Sequence, residues 1–153
     1  MRASGSRFSL TCLPKEEFPI IDQSNEGNII KINSQVLYRL IEKTKFAISN
    51  EETRYFLNGL YFNIQNESNK SSVTLVGTDG HRLAKFSHSL EQNIDQVNGV
   101  IIPKKTINEL SKLLSDLDKD IDVSISSNKI IFYIENIIFI SKLIDGSFPD
   151  YNR

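Results

Sequence analysis

Two stretches of this chain, set 70 residues apart, carry the same apolar pattern, and that repeat limits the fold more than any other feature. Moving residues 30–47 forward by 70 lays them on 100–117. Ile30 then falls on Val100, Ile32 on Ile102, Leu37 on Ile107, Leu40 on Leu110 and Thr44 on Leu114. Each copy opens with alternating apolar residues, the period of a strand, and goes on at the spacing of a helix. Three more alternating runs follow each helix. The pattern predicts an α+β fold of two strand-helix-three-strand halves related by internal pseudo-symmetry, with the helices on one face of antiparallel sheets.

In the first half, Ile29 to Ile32 predicts a short strand. Asn33 or Ser34 then caps a helix running to about Lys45 or Ile48. Its stripe is Leu37, Leu40, Ile41, Thr44 and Ala47 or Ile48. Leu60, Phe62 and Ile64 alternate as a strand, and Asn58-Gly59 before them is either a hairpin turn or a bend. Gln65 to Ser71 is expected to be a polar loop, with strands at about 72–77 and 82–88. In the second half, a strand at 97–102 leads through Pro103 into a helix to about Leu117, with Ile107, Leu110, Leu113 and Leu114 as its stripe. Strands at 121–126, 129–134 and 137–143 follow, turning at Ser127-Asn128 and Glu135-Asn136.

A second shift, of 130 residues, lays the start of the chain on its end. Phe8 meets Ile138, Leu10 meets Ile140, Leu13 meets Leu143, Phe18 meets Phe148 and Pro19 meets Pro149. Residues 7–13 are therefore expected to form a strand ended by Pro14, the last strand of a preceding unit. A polar linker over residues 15–28 would follow.

At 153 residues there is room for one domain with a real core. A net charge of −1 argues against a surface that grips nucleic acid all over, and leaves room for one basic face. No apolar run reaches the roughly 20 residues of a membrane helix, and residues 1–20 lack a secretory pattern. Cys12, the single cysteine, excludes an internal disulfide and a cysteine metal cluster. It is expected to be semi-buried and suits a reducing, cytoplasmic setting.

The hairpin signal Thr78-Asp79-Gly80-His81-Arg82-Leu83 would bring a hydroxyl, an imidazole and a guanidinium to one sheet end beside an apolar side chain. Asp79 and His81 could be read as an acid-base or metal pair, but a metal site needs a third ligand and none is signalled. No phosphate-binding glycine loop, nucleophile elbow or zinc-protease motif occurs. The alternation Asp116, Asp118, Asp120, Asp122 lacks the Gly and closing Glu of a calcium loop. Neither a metal nor a cofactor is expected. Lys104-Lys105 open one helix against its dipole, a placement that a phosphate partner would offset. Arg39, Lys43 and Lys45 lie outside the stripe of the other helix, and Arg54-Tyr55-Phe56 sets a cation beside aromatics.

Four stretches carry a specific likeness: Arg54-Tyr55-Phe56-Leu57-Asn58-Gly59, Thr78 to Ala84, Ile102-Pro103-Lys104-Lys105, and Ser141 to Tyr151. Together they resemble the bacterial DNA polymerase III beta subunit, the sliding clamp. The resemblance implies a DNA-clamp fold. Residues 1–27 would be the tail of the first clamp domain and its linker, 28–145 the middle domain, and 146–153 the start of the link to a third domain. It implies a non-catalytic processivity subunit that encircles double-stranded DNA as a head-to-tail homodimer ring. The implied partners are the polymerase III catalytic subunit, the clamp loader and other proteins bearing a clamp-binding motif, with no membrane. Lys104, Lys105, Arg54, Tyr55 and Phe56 would approach DNA. Phe56 stands where many clamps have Tyr. Leu57, Thr78, Gly80, His81, Arg82, Leu83, Pro149 and Arg153 would line a pocket for a short hydrophobic peptide. This chain is expected to be a fragment that cannot close a ring alone. The rival expectations are a stand-alone peptide-binding module, the remnant of a broken clamp gene, or an enzyme built on Asp79 and His81.

Overall fold

The structure is a computed structural model that describes residues 2–3, 6–7, 9–18, 27–67, 70–90, 94 and 97–152. Among the described residues, β1 (Arg2–Ala3) and β2 (Ser6–Arg7) near the start pair with each other and with no other strand. The first half comprises β3 (Asn28–Asn33), α1 (Ser34–Glu42), β4 (Gly59–Glu67), β5 (Lys70–Thr78) and β6 (Leu83–Leu90). The second comprises β7 (Val97–Pro103), α2 (Lys104–Leu114), β8 (Asp120–Ile125), β9 (Lys129–Ile134) and β10 (Ile137–Lys142). The predicted halves are present.

Each half lends its first strand to the other. β3 pairs antiparallel with β8, matching Ile30 to Val123 and Ile32 to Ile121. β7 pairs antiparallel with β4, matching Ile102 to Leu60 and Val100 to Phe62. The sheets are therefore β10-β9-β8-β3 and β6-β5-β4-β7, each with three strands from one half and one from the other. Because side chains alternate across a strand, these registers turn Ile30, Ile32, Leu60, Phe62 and Ile102 into one core.

Both helices bury most of their predicted stripes in that core, with Leu37, Leu40, Ile41, Ile107, Leu110 and Leu114 at most 1% exposed. Asn33 is the cap of α1, its Oδ1 accepting from the backbone N–H of Gln35 (2.9 Å) and of Val36 (3.4 Å). The buried Thr44 hydroxyl donates back to Leu40 O at 2.7 Å, and a 3-10 turn at Lys45–Ala47 carries on the burial. The first residues of α1 close the end of α2. Ser34 Oγ donates to Leu117 O at 2.7 Å, and Gln35 Nε2 to the same carbonyl at 2.6 Å. Gln35 Nε2 also reaches Leu114 O at 3.2 Å and Ser115 O at 3.3 Å, carbonyls at the helix end that lack partners within the helix.

Several expectations need correcting. Residues 9–14 form no strand. Leu10 and Leu13 are 75% and 82% exposed, because no described strand runs beside them to pair their backbone. Cys12 is exposed there rather than semi-buried. Phe8 and Pro19 lie outside the described residues. α1 ends at Glu42 and α2 at Leu114, each shorter than its apolar period suggested. Leu113 is 37% exposed, and Ser111 takes the buried place instead. The polar segment 65–71 is mostly strand: the β4–β5 ladder runs out to Glu67 and Lys70 because its backbone pairs regardless of side-chain polarity. Lys45 turns inward, bonding Glu42 and reaching Ser111 Oγ at 3.3 Å. Of the two readings left open for Asn58-Gly59, the bend is the one present, leading into β4 after a 3-10 turn at Tyr55–Leu57.

Candidate nucleic-acid interface and peptide-docking corner

The hairpin at Thr78–Leu83 is held by its own polar groups. Thr78 and Leu83 pair as the last ladder residues of β5 and β6. Between them Asp79 Oδ1 accepts from the backbone N–H of both His81 and Arg82 at 3.0 Å, and Oδ2 accepts from Arg82 Nε at 3.0 Å. The two backbone bonds, with the nearby guanidinium, hold the Asp79 carboxyl below the usual aspartate range. Thr78 Oγ1 donates to Arg82 O at 2.7 Å and accepts from Gly80 N at 3.1 Å. Gly80 sits at φ +89°, where only glycine is unstrained.

That geometry bears on chemistry. Both Asp79 oxygens are engaged in the turn, so the carboxylate builds structure, while His81 and Arg82 face solvent. Among the described residues, no three His, Cys, Asp or Glu stand together as a metal group would.

The loop Arg54–Gly59 is packed against this turn. A Cβ on Gly80 would lie 2.4 Å from Arg54 Nη1, so the guanidinium lies directly on the glycine backbone. Arg54 also makes a forked ion pair with Glu51, Nε to Oε2 at 2.9 Å and Nη2 to Oε1 at 2.7 Å. This bond lowers the Glu51 pKa and raises that of Arg54. Tyr55 is exposed and meets the half-buried Phe56 edge-on, with centroids 5.9 Å apart. Leu57, only 2% exposed, is buried rather than an open wall.

The other two motif stretches reach the same loop. Lys104 N donates to Asn58 O at 3.0 Å, and Lys104 Nζ to Asn50 Oδ1 at 2.5 Å. Gly146 lies against Phe56, whose Cβ is 3.1 Å from where a Gly146 Cβ would stand. Segments far apart in sequence thus converge around one loop. The cations sort by position. Lys105, Arg39 and Lys43 are exposed on the helices, Lys104 is half-buried and tied to the loop, and Arg54 is neutralised by Glu51.

The alternation of β4, β5 and β6 puts Tyr61, Val76 and Lys85 in one row and Thr78 and Leu83 in the next, on the face away from the helices. Gly77, between Val76 and Thr78, faces inward: a Cβ there would meet Thr44 O at 2.8 Å. The C-terminal segment lies across this outer face, with Phe148 stacked on Tyr61 at 4.9 Å and 15°. Leu83, 49% exposed, stays open between that segment and the turn. Pro149 lies in the segment and is exposed, while Arg153 is outside the described residues. Tyr61 and Lys85 had no signal in the sequence, since what joins them is a cross-sheet row, and nothing there tied Phe148 to it. A separate cleft of about 400 Å³ lies between Gly99–Ile101, Ser127-Asn128 and Leu143–Gly146, away from the turn.

This architecture, two antiparallel sheets backed by a pair of helices in pseudo-symmetric halves, is the DNA-clamp class. Residues 31–150 match the family model for the DNA polymerase III beta subunit, central domain, and the chain belongs to that family. It is 41% identical over 153 residues to the beta sliding clamp of Caulobacter vibrioides, covering all of this chain and 41% of that protein. To the beta sliding clamp of Escherichia coli K12 it is 39% identical, again over its whole length and 40% of the relative. A crystal structure of the C. crescentus beta sliding clamp superposes with a TM-score of 0.88 at 41% identity, covering 99% of this chain and 40% of that one. The sliding clamp of Bartonella birtlesii, bound to griselimycin, gives 0.84 at 43% identity, over 95% of this chain and 39% of that one. The chain thus spans about two fifths of the length of the curated relatives it matches. Among the described residues, no helix is long and apolar enough to cross a membrane.

Proposed function

We propose that this chain is the central part of a sliding clamp. The whole subunit closes with a second copy into a head-to-tail ring on duplex DNA and tethers the replicative polymerase, without catalysing a reaction itself. Its place of work is the cytoplasm. Residues 1–27 are the tail of a first domain, 28–145 the middle domain, and 146–153 the link onward. The observation that carries this reading is the convergence of separated motif stretches around the loop Arg54–Gly59.

On the helix side, Lys105 with Lys104 meets phosphates, and Tyr55 and Phe56 with Arg54 form the rim. Contacts of this kind position a duplex without reading its bases, which suits a protein that slides. On the outer face, Thr78, Gly80, His81, Arg82 and Leu83, with the buried Leu57, form one side of an apolar corner. Pro149 and Arg153 form the other. Such a corner takes the hydrophobic side chains of a short peptide from the polymerase catalytic subunit, the clamp loader or other clamp-binding proteins.

The two surfaces separate by mutation. Lys105→Ala should lower the salt slope of duplex binding by about one and leave the outer corner unchanged. Leu83→Ala and His81→Ala should do the reverse, weakening binding of griselimycin, the molecule a relative is bound to. Fluorescence anisotropy for DNA and calorimetry for griselimycin read both. Equal losses at both surfaces from either change would sink the assignment.

A further inference from the structure

On the docking reading above, we propose that Tyr61 and Lys85 are positioning residues for the corner: they pin Phe148–Asn152 across the outer face so that Pro149 becomes its second wall. The argument starts from Gly99. A Cβ there would lie 1.9 Å from the Tyr61 hydroxyl oxygen and 2.0 Å from Cζ, so Tyr61 lies flat over β7 only because position 99 has no side chain. Held in that way, its ring becomes a platform. Phe148 stacks on it at 4.9 Å and 15°, and Tyr151 tilts against it at 5.8 Å and 59°.

A second set of contacts fixes the far end of the segment. Asn63, one row along β4, donates from Nδ2 to the Tyr151 hydroxyl at 3.4 Å. Lys85 Nζ lies 4.9 Å from the Tyr151 ring centroid and donates to Asn152 Oδ1 at 3.2 Å. Asn152 N in turn donates to Asp150 Oδ1 at 3.1 Å, closing a local turn. Pro149 is bracketed by Phe148 and Tyr151, both held by the sheet. The segment contacts Tyr61 and Lys85 in the row where Val76 is fully buried, while in the next row Thr78 is buried and Leu83 stays exposed. The strip between segment and turn is as wide as these contacts make it.

Nitrogen-15 NMR of the full 153-residue chain, with griselimycin as the probe, tests this. In the parent chain the probe should shift the amides of Thr78 and Leu83. Tyr61→Ala should move the amide signals of Phe148–Asn152 toward random-coil positions and weaken the probe about fivefold, the scale of one aromatic pair. Tyr61→Phe, which keeps the stack, should restore both. Gly99→Ala should reproduce the Tyr61→Ala result by pushing the ring aside. Lys85→Ala should give a smaller loss at an unchanged thermal midpoint, rescued by Lys85→Arg, so a change in overall stability would not account for it. Unchanged segment signals and unchanged affinity in Tyr61→Ala and Lys85→Ala would overturn the inference and leave the docking reading standing. Probe-induced shifts absent from Thr78 and Leu83 in the parent chain would instead overturn the docking reading itself.

Discussion

The two helix starts occupy equivalent places in the repeat and are finished in opposite ways. α1 begins behind Asn33, whose side chain accepts from two backbone N–H groups and whose Nδ2 donates to Asp118 at 3.1 Å. Seventy residues on, α2 begins behind Pro103, with no side-chain cap and two lysines in its first turn. One of its amides, Lys104 N, is satisfied by Asn58 O from the loop Arg54–Gly59. The first start is closed by the chain's own polar groups and serves to bind the halves together. The second keeps like charge at the positive end of a helix, an arrangement that disfavours the isolated domain and suits an anionic partner. On the proposed function, equivalent positions are divided between stability and binding.

The strongest challenge to that comparison is to the symmetry it assumes. Leu40 and Leu110 are equivalent in the repeat, and both are fully buried. Leu40→Ala and Leu110→Ala should each cost about 2–5 kcal/mol in urea unfolding. Because both side chains sit in one shared core, each should lower the midpoint of a single transition. Separate transitions for the two variants would mean that the halves are independent units.

The next test addresses the helix starts directly. Asn33→Ala removes the cap and should cost about 1 kcal/mol. Pro103→Ala removes no cap and should stay within about 0.5 kcal/mol. Equal costs at the two positions would show that α2 depends on its start as much as α1 does, and the division between stability and binding would fail.

The core was legible because burial follows a period that the residues themselves carry. Leu37, Leu40, Ile107 and Leu110 are where the helical spacing puts them. The repeat held information that a reading of α2 alone missed. Leu113 falls on the exposed Lys43, and Ser111 on the buried Ile41, so their actual placements were implied by the first half. The exchange of first strands was not legible, since β3 and β8 lie about 90 residues apart and nothing local selects one partner edge over another. In the candidate site, the Asp79 turn and the paired lysines were visible as motifs. The stack of Phe148 on Tyr61 was not, because it depends on a sheet row and on the missing side chain of Gly99. Nor did the sequence show that Arg54 is neutralised by Glu51 and laid on Gly80, which places it between the loop and the turn.

The smallest effect expected is confined to one turn, and it sets the last strand pair of the first half against that of the second. β5 and β6 join through Asp79, which binds two backbone amides. β9 and β10 join through Glu135-Asn136, where the Glu135 carboxylate goes to Lys119 instead. The folded pKa of Asp79 is depressed by those amides, so the carboxylate stabilises the turn fully at neutral pH. That contribution is lost as pH falls from the ordinary aspartate range through the lowered folded value. Hydrogen-exchange protection of the His81 and Arg82 amides should therefore fall on acidification, while that of the β9–β10 turn does not follow the same course. Asp79→Asn keeps one acceptor oxygen and removes the titrating group, so its protection should be lower at neutral pH and flat below it. A parent-like acid transition in Asp79→Asn would move the pH sensitivity to another group and leave the two turns alike.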